Sequence, residues 1–190
     1  VNRVHNQVAW LESYHDARPI AVLCGQIAHH QLNKHYHFLN EQPDQSTMYE
    51  EPPWPEVLAH PRVLQQLWDQ CMSGQTARDG LPARKRSIMT ASHIELIKPF
   101  QGMLCDGSHE HSQLIGGIET RPAQLWTWDT ACRVAQGVSK VVSLMKQKGP
   151  RQAAVYPVGD DPSAASSGAA PPPAAPAPGR ASCCRRCAAG

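Results

Sequence analysis

Every residue from Ser163 to Pro178 is alanine, proline, serine or glycine. Such a stretch has no large apolar side chains to bury and no helical or strand periodicity, so it cannot form a packed layer. We predict that residues 151–190 form a disordered tail with a basic, cysteine-rich end. The fold is therefore confined to residues 1–150, an ordinary size for a single domain.

Within residues 1–150, short apolar segments alternate with segments of helical periodicity. The spacing predicts helices over residues 1–14, 19–33, 55–67, 92–97 and 130–148, and strands at 36–39, 68–72 and 87–90. The segment 55–67 is predicted either as one helix or as two short helices broken near Pro61. Strands that alternate with helices are typical of an α/β fold with a parallel or mixed sheet. We therefore expect a small two-layer or three-layer, Rossmann-like partial sheet of about three or four strands with flanking helices.

Local chemistry predicts several helix boundaries. Pro19 suits the first turn of a second helix, where its missing N–H is not needed. Ser92 is the expected N-cap of the helix at 92–97, and Thr127 is the expected N-cap of the last helix. The buried face of the helix at 19–33 is expected to contain Ile20, Leu23, Cys24, Ile27, Ala28 and Leu32.

Composition restricts the class of protein and its location. The formal net charge of +2 is too small to indicate nucleic-acid binding by bulk electrostatics. There is no apolar run of the length that spans a membrane, and the scattered cysteines are typical of free thiols in a reducing compartment. An intracellular protein, cytoplasmic or nuclear, is therefore expected. The first residue is not methionine and no apolar signal core follows, which predicts a fragment of a longer product.

The segment from Cys105 to His111 holds the tightest set of metal-ligating groups in the sequence. Cys105, His109 and His111 offer one thiolate and two imidazoles, which are donors that zinc prefers. Cys71 is the most natural fourth ligand if the end of its predicted strand lies nearby. Two alternatives stay open: a loop whose imidazoles contact backbone carbonyls, and a nucleophile–base pair made by Cys105 with a histidine or by Asp69 with Cys71.

Arg84, Lys85 and Arg86 form a basic triplet just before a predicted strand. A solvated loop and a phosphate-contact patch are both compatible with this pattern. Enzymatic motifs are absent from the sequence: it contains no G-x-G-x-x-G, Walker A, H-E-x-x-H or G-x-S-x-G pattern, so no catalytic residue is assigned.

Five motifs stand in order along the chain: H-F-L-N-E-Q-P at 37–43, W-D-Q-C-M-S-G at 68–74, A-R-K-R-S-I-M-T-A-S at 83–92, C-D-G-S-H-E-H-S-Q-L-I-G-G at 105–117 and W-T-W-D at 126–129. With them, the chain from about residue 18 to 142 resembles a segment of copia-like retrotransposon gag-pol polyproteins of the dinoflagellate type. The resemblance implies a polyprotein segment that accompanies protease, integrase and reverse-transcriptase domains.

A second resemblance involves Glu41-Gln42-Pro43, Cys71-Met72-Ser73-Gly74, Arg84-Lys85-Arg86 and Thr90-Ala91-Ser92. In this order they resemble the C-terminal half of cytosine DNA methyltransferase-like domains, which carry E-N-P, C-x-Y-G, K-P-T and T-N. Gln42, Ser73 and the Lys85-Arg86-Ser87 turn depart from that pattern, and the cofactor loop and catalytic Pro-Cys are absent. This resemblance implies a degenerate half-domain without activity.

The preferred interpretation is a non-catalytic segment of a mobile-element polyprotein that assists nucleic-acid binding through Arg84, Lys85 and Arg86. The alternatives are a degenerate methyltransferase-like half-domain and a zinc-stabilised interaction module. Zinc is the one cofactor considered, nucleic acid or other polyprotein domains are the expected partners, and the oligomeric state is left open.

Overall fold

The computed structural model describes residues 6–112 and 124–147. Its regular elements are α1 (Gln7–Asn33), β1 (Leu39–Pro43), α2 (Trp54–Ala59), β2 (Leu64–Asp69), β3 (Arg86–Ala91), α3 (Ile94–Ile97) and α4 (Trp128–Gln147). Helices combined with a small three-stranded sheet confirm the predicted α/β class. The expectations for residues 1–5, for the segment 113–117 and for the tail 151–190 lie outside the described residues.

The three strands form one sheet in the order β1-β3-β2, and both pairs are antiparallel. In the two ladders, Ala91 lies opposite both Leu39 and Leu64. The expectation of a parallel or mixed sheet was therefore wrong. Parallel neighbours need a crossover, usually a helix, whereas the chain between β2 and β3 contains only a short 3-10 turn, Gln70–Ser73.

Two strands lie away from their predicted positions. β1 begins at Leu39, three residues after the predicted start, and it includes Pro43 opposite Ser87. A proline is tolerated there because β1 is an edge strand of the described sheet and needs no donor on its outer side. β2 covers Leu64–Asp69, most of which was predicted as helix because Leu64 and Leu67 have a spacing common to both structures.

A first hydrophobic core lies between one face of the sheet and the helices α3 and α4. Its buried members are Trp68, Met89, Ala91, Leu96, Ile97, Phe100, Met103 and Val141. The rings of Trp68 and Phe100 lie 5.0 Å apart. Helix α4 approaches α3 closely at Gly137, where an added Cβ would lie 2.8 Å from the carbonyl oxygen of Glu95.

A second core joins α1 to α2 and contains Ala28, Leu32, Phe38, Trp54 and Val57. The indole N–H of Trp54 donates to the carbonyl of Ala21 at 2.9 Å. Tyr49 connects this region with the sheet, since its hydroxyl lies 2.8 Å from Oγ1 of Thr90.

Helix α1 differs from the prediction in two ways. It is one continuous helix with Pro19 inside it, rather than two helices separated before Pro19. Its buried face carries the small residues Ala21, Gly25 and Ala28 followed by Leu32. Of the predicted face, Ile20, Leu23 and Ile27 are exposed. Small residues face the core here because the start of α2 packs closely against α1. A Cβ added at Gly25 would lie 2.9 Å from Cδ of Pro53, the residue before α2.

The predicted N-cap of the last helix is confirmed, because Thr127 Oγ1 accepts the backbone N–H of Thr130 at 3.1 Å. The predicted cap of α3 was wrong by one residue. His93 is the cap, its Nδ1 accepting the N–H of Glu95, while Ser92 Oγ accepts the N–H of Phe38. None of the described helices combines the length and the apolar character needed to cross a bilayer.

Candidate metal centre

Cys71, Cys105, His109 and His111 come together in the structure. One sulfur or ring-nitrogen atom from each lies within 4.8 Å of the others. Cys71 is in the 3-10 turn Gln70–Ser73 that directly follows β2, and the other three are in the loop after α3. The strand end therefore brings Cys71 to the loop, which is the arrangement that the predicted ligand set required.

The distances within this cluster suit a tetrahedral zinc ion. Cys105 Sγ lies 3.7 Å from His109 Nε2 and 3.4 Å from His111 Nε2. Zinc bonds of about 2.3 Å to sulfur and about 2.05 Å to nitrogen, at a tetrahedral angle, separate a sulfur from a nitrogen ligand by about 3.6 Å. The two observed separations lie on either side of that value, so Cys105 and the two histidines would need little movement to receive the ion, and the Cys71 sulfur lies within 4.8 Å of these three atoms.

The sulfur atoms are shielded from solvent. Cys71 and Cys105 are each 8% exposed, and the two histidines are half-buried. Burial, and after it the contact with Cys105, raises the pKa of the Cys71 thiol to about 11. A cation among these groups supplies the charge that a buried thiolate needs, so metal binding and loss of the thiol proton are coupled.

The loop that carries three of the four groups is shaped by its own backbone. Gly107 has a φ of +79°, and its N–H donates to Cys105 Sγ at 3.3 Å. Asp106 Oδ1 accepts the N–H of Ser108 at 2.9 Å. Farther along, the N–H of Ser112 donates to the carbonyl of Pro82 at 3.0 Å, which holds the end of the loop against the segment before β3.

Asp69, the last residue of β2, holds Cys105 in place. Its Oδ2 accepts the backbone N–H of Cys105 at 2.9 Å, although Asp69 is far away in sequence. Burial alone would raise the pKa of Asp69. Hydrogen bonds from Arg86 and from the Cys105 backbone, together with the charges of Arg86 and Arg84, hold that pKa below its ordinary value instead.

The basic triplet has a structural role at this place. Arg86 makes a two-pronged contact with Asp69, from Nε to Oδ1 at 3.0 Å and from Nη2 to Oδ2 at 3.1 Å. Arg84 Nε lies 3.8 Å from the same carboxylate. Two of the three predicted phosphate-binding cations therefore share a buried acid, which reduces the charge available to nucleic acid. Nucleic-acid binding by Arg84, Lys85 and Arg86 stays a prediction.

The turn that carries Cys71 is fastened to α4. Thr127 Oγ1 donates to the carbonyl of Ser73 at 2.9 Å, and Thr130 Oγ1 donates to Ser73 Oγ at the same distance. Gly74 ends the turn with a φ of +77°, and its N–H donates to the carbonyl of Cys71. These contacts connect the N-terminus of the last helix with the candidate site.

The two other interpretations of the cluster fit less well. In the described residues, the side-chain contacts of His109 and His111 are with the Cys105 sulfur and with each other, not with backbone carbonyls. A nucleophile–base pair would need an accessible sulfur, whereas Cys105 is buried. The second proposed pair is also disfavoured, because the Asp69 carboxylate is occupied by Arg86 and by the Cys105 backbone.

Sequence reasoning missed the organising role of Asp69. The signal in the sequence was an acidic residue within a predicted strand, with the basic triplet Arg84-Lys85-Arg86 before the next strand. Comparison of this chain with protein-family models, with curated proteins and with solved structures gives no match. The retrotransposon and methyltransferase resemblances therefore stay predictions.

Proposed function

We propose that this chain is a non-catalytic, zinc-stabilised module in which Cys71, Cys105, His109 and His111 hold one zinc ion. The observation that carries the proposal is the approach of all four ligand atoms to within 4.8 Å of one another. Two thiolates and two imidazoles form one of the standard ligand sets of structural zinc.

The completeness of the ligand set favours a structural role. Catalytic zinc has three protein ligands and keeps a position open for water or substrate, whereas structural zinc has four. Here the ion would tie the loop at 105–111 to the end of β2, two segments otherwise joined mainly through Asp69. A loop with little regular structure would thereby become a rigid surface for a partner.

The first test is the zinc content of this chain, residues 1–190, purified without chelator and measured by plasma mass spectrometry. The starting variant has Cys183, Cys184 and Cys187 changed to Ser, which removes the thiols of the C-terminal end as a source of background binding. We expect one zinc per chain. Cys105→Ser and His111→Asn should each lose most of it, whereas Cys24→Ser, which changes a half-buried thiol on α1, should keep it.

Cobalt substitution tests the ligand set itself. Tetrahedral cobalt with two thiolates gives strong visible bands and a sulfur charge-transfer band, and Cys71→Ser should halve the latter while Cys24→Ser leaves it unchanged. Substoichiometric zinc in the starting variant, or full zinc retention in Cys105→Ser, would show that the proposal is wrong.

A further inference from the structure

A second site lies at the other end of α4. A groove of about 1070 Å³ runs between the C-terminal half of α4, the loop after α1, the turn before β2 and the junction of β3 with α3. We call it the α4 groove. Its lining residues include none of the four proposed zinc ligands. Its volume lies just above the range of about 300–1,000 Å³ that is usual for small-molecule sites.

The floor of the α4 groove is apolar and partly open to solvent. It is formed by Leu64, Ile94, Val141, Val142 and Met145. Of these, Ile94, Val142 and Met145 each keep more than two fifths of their surface exposed, at 43%, 42% and 42%. When a hydrocarbon chain binds on a concave surface of aliphatic side chains, apolar surface of both partners is removed from water, and the free energy of the system falls.

Arg62 and Lys146 give the rim of this groove a positive charge, and three histidines add imidazole groups to it. The ionisable lining residues are His35, His37, Arg62, His93 and Lys146, apart from the phenol of Tyr36. No aspartate or glutamate is among the residues that line the groove in the described part of the chain. The groove therefore combines an aliphatic floor with a cationic rim, which is complementary to a molecule with an apolar body and an anionic head.

Arg62 is held in position at the rim by uncharged groups. Its guanidinium donates to the carbonyls of Tyr36 at 3.0 Å and Leu32 at 3.4 Å, and it lies 3.4 Å from His37 Nδ1. No carboxylate of the described residues lies within ion-pairing distance of it, in contrast to Arg84 and Arg86. Its positive charge is thus preorganised and not neutralised by those residues.

His93, which also lines the groove, adds a hydrogen-bond donor. Its Nδ1 accepts the N–H of Glu95 at 3.2 Å, so in the neutral ring the proton is carried by Nε2. The rings of His93 and His37 are 5.0 Å apart. Arg62 and His93 together therefore present donors, as a carboxylate or other oxyanion requires.

We propose that the α4 groove binds a small amphipathic anion of the fatty-carboxylate class. The hydrocarbon chain lies on Ile94, Val142 and Met145, and the carboxylate is bound at Arg62 and His93, with Lys146 adding charge. Binding here is independent of the zinc proposal, since it uses none of the metal-binding residues.

Calorimetric titration of the full chain with decanoate, below its micelle concentration, tests this proposal. Decanol and decyltrimethylammonium serve as neutral and cationic ligands of the same chain length. We expect saturable binding of decanoate, binding of decanol weaker by about tenfold or more, and none of the cation. Lys146→Gln and Arg62→Gln should each weaken decanoate binding by a larger factor than decanol binding.

The matched pair Val142→Glu and Val138→Glu tests the location. Both residues lie on α4 with similar exposure, 42% and 44%, but only Val142 lines the groove. Val142→Glu should weaken decanoate binding by about tenfold or more, and Val138→Glu by less than about twofold. Equal binding of decanoate and decanol, equal effects of the two glutamates, or no binding at all would overturn the proposal. Thermal melts of each variant show whether it is folded.

Discussion

The carboxylate of Asp69 accepts the backbone N–H of Cys105 at 2.9 Å, while the backbone N–H of Asp69 donates to the carbonyl of Met103 at 2.8 Å. One residue at the end of β2 therefore fixes both the entry to the loop at 105–111 and its first candidate ligand, Cys105. Asp69 is fully buried and paired with Arg86, so its own position is fixed, and it can hold the loop at 105–111 in place.

Asp69→Asn should destabilise the protein with or without zinc. An amide keeps an acceptor for Cys105 but loses the charge that balances Arg86 and Arg84. We expect the free energy of unfolding in urea to fall by about 1–3 kcal/mol, which is less than the cost of about 3–5 kcal/mol for breaking a fully buried ion pair, because both arginines are partly exposed. Asp16→Asn, an exposed change on α1, is the control and should have no effect. Unchanged stability of Asp69→Asn in excess chelator would contradict the structural role.

Gly137→Ala should destabilise the protein although alanine is the better helix former. An added Cβ would lie 2.8 Å from the Glu95 carbonyl oxygen and 3.0 Å from that of Leu96, and these are backbone atoms that cannot rotate away. The steric cost of about 1–3 kcal/mol exceeds the gain of about 1 kcal/mol in helix propensity. Thermal unfolding measures the difference. Ser139→Ala, on the exposed face of α4, should be neutral or slightly stabilising, and a stabilised Gly137→Ala would mean that α3 and α4 are farther apart.

Tyr49 should make the stability of the fold sensitive to alkaline pH. Burial raises the pKa of its phenol from 10.0 to about 12, a shift that the Thr90 hydrogen bond opposes in part. Between these values the folded state keeps a proton that the unfolded state has lost, so stability is complete below pH 10 and falls as pH rises. After solvent screening at this half-buried site, the loss is about 1–2 kcal/mol.

The measurement is the free energy of unfolding of wild type and Tyr49→Phe across that pH range. Phenylalanine cannot lose a proton, but it gives up the hydrogen bonds to Asn40 and Thr90. The variant should therefore be less stable at neutral pH, and the two curves should converge above pH 10. Parallel curves would show that the pKa of the Tyr49 phenol is the same in the folded and unfolded states.

Gln45→Gly should stabilise the protein. Gln45 is an exposed residue with a φ of +61°, in the left-handed region that costs a side chain about 1–2 kcal/mol. Glycine removes this strain but has a more flexible unfolded state, so a net gain of about 0.5–1 kcal/mol is expected in thermal unfolding. Gln45→Ala keeps the Cβ and should show no gain. Equal effects of alanine and glycine would argue against strain at this turn.

The candidate ligands could be predicted from the sequence because their thiol and imidazole side chains are recognised by residue type, without knowledge of the fold. Cys105, His109 and His111 are close together in the chain, and Cys71 was chosen because a strand was expected to end there. That strand ends at Asp69, two residues before the cysteine. The α/β class and β3 were predictable for a similar reason, since the segment around Ile88 is short, apolar and bounded by polar residues.

Strand direction and the length of α1 were not predictable from local pattern. Leu64 and Leu67 fit a helix as well as a strand, and only pairing with β3 decides between the two structures. Pro19 was expected to begin a helix, but packing of Ala21 and Ala28 against α2 keeps one helix continuous through it. The α4 groove was missed because its charged rim comes from separate segments that only the fold brings together.

The two edges of the described sheet are protected unequally. β1 ends in Pro43, which cannot donate to an added strand, and Glu41 adds charge along its length. β2, with the sequence L-Q-Q-L-W-D, has no charged residue before Asp69, and Leu64 and Leu67 are each 37% exposed. Self-association at high concentration would therefore begin by strand addition at β2 rather than β1, and a lysine in place of Gln66 is the direct way to raise solubility.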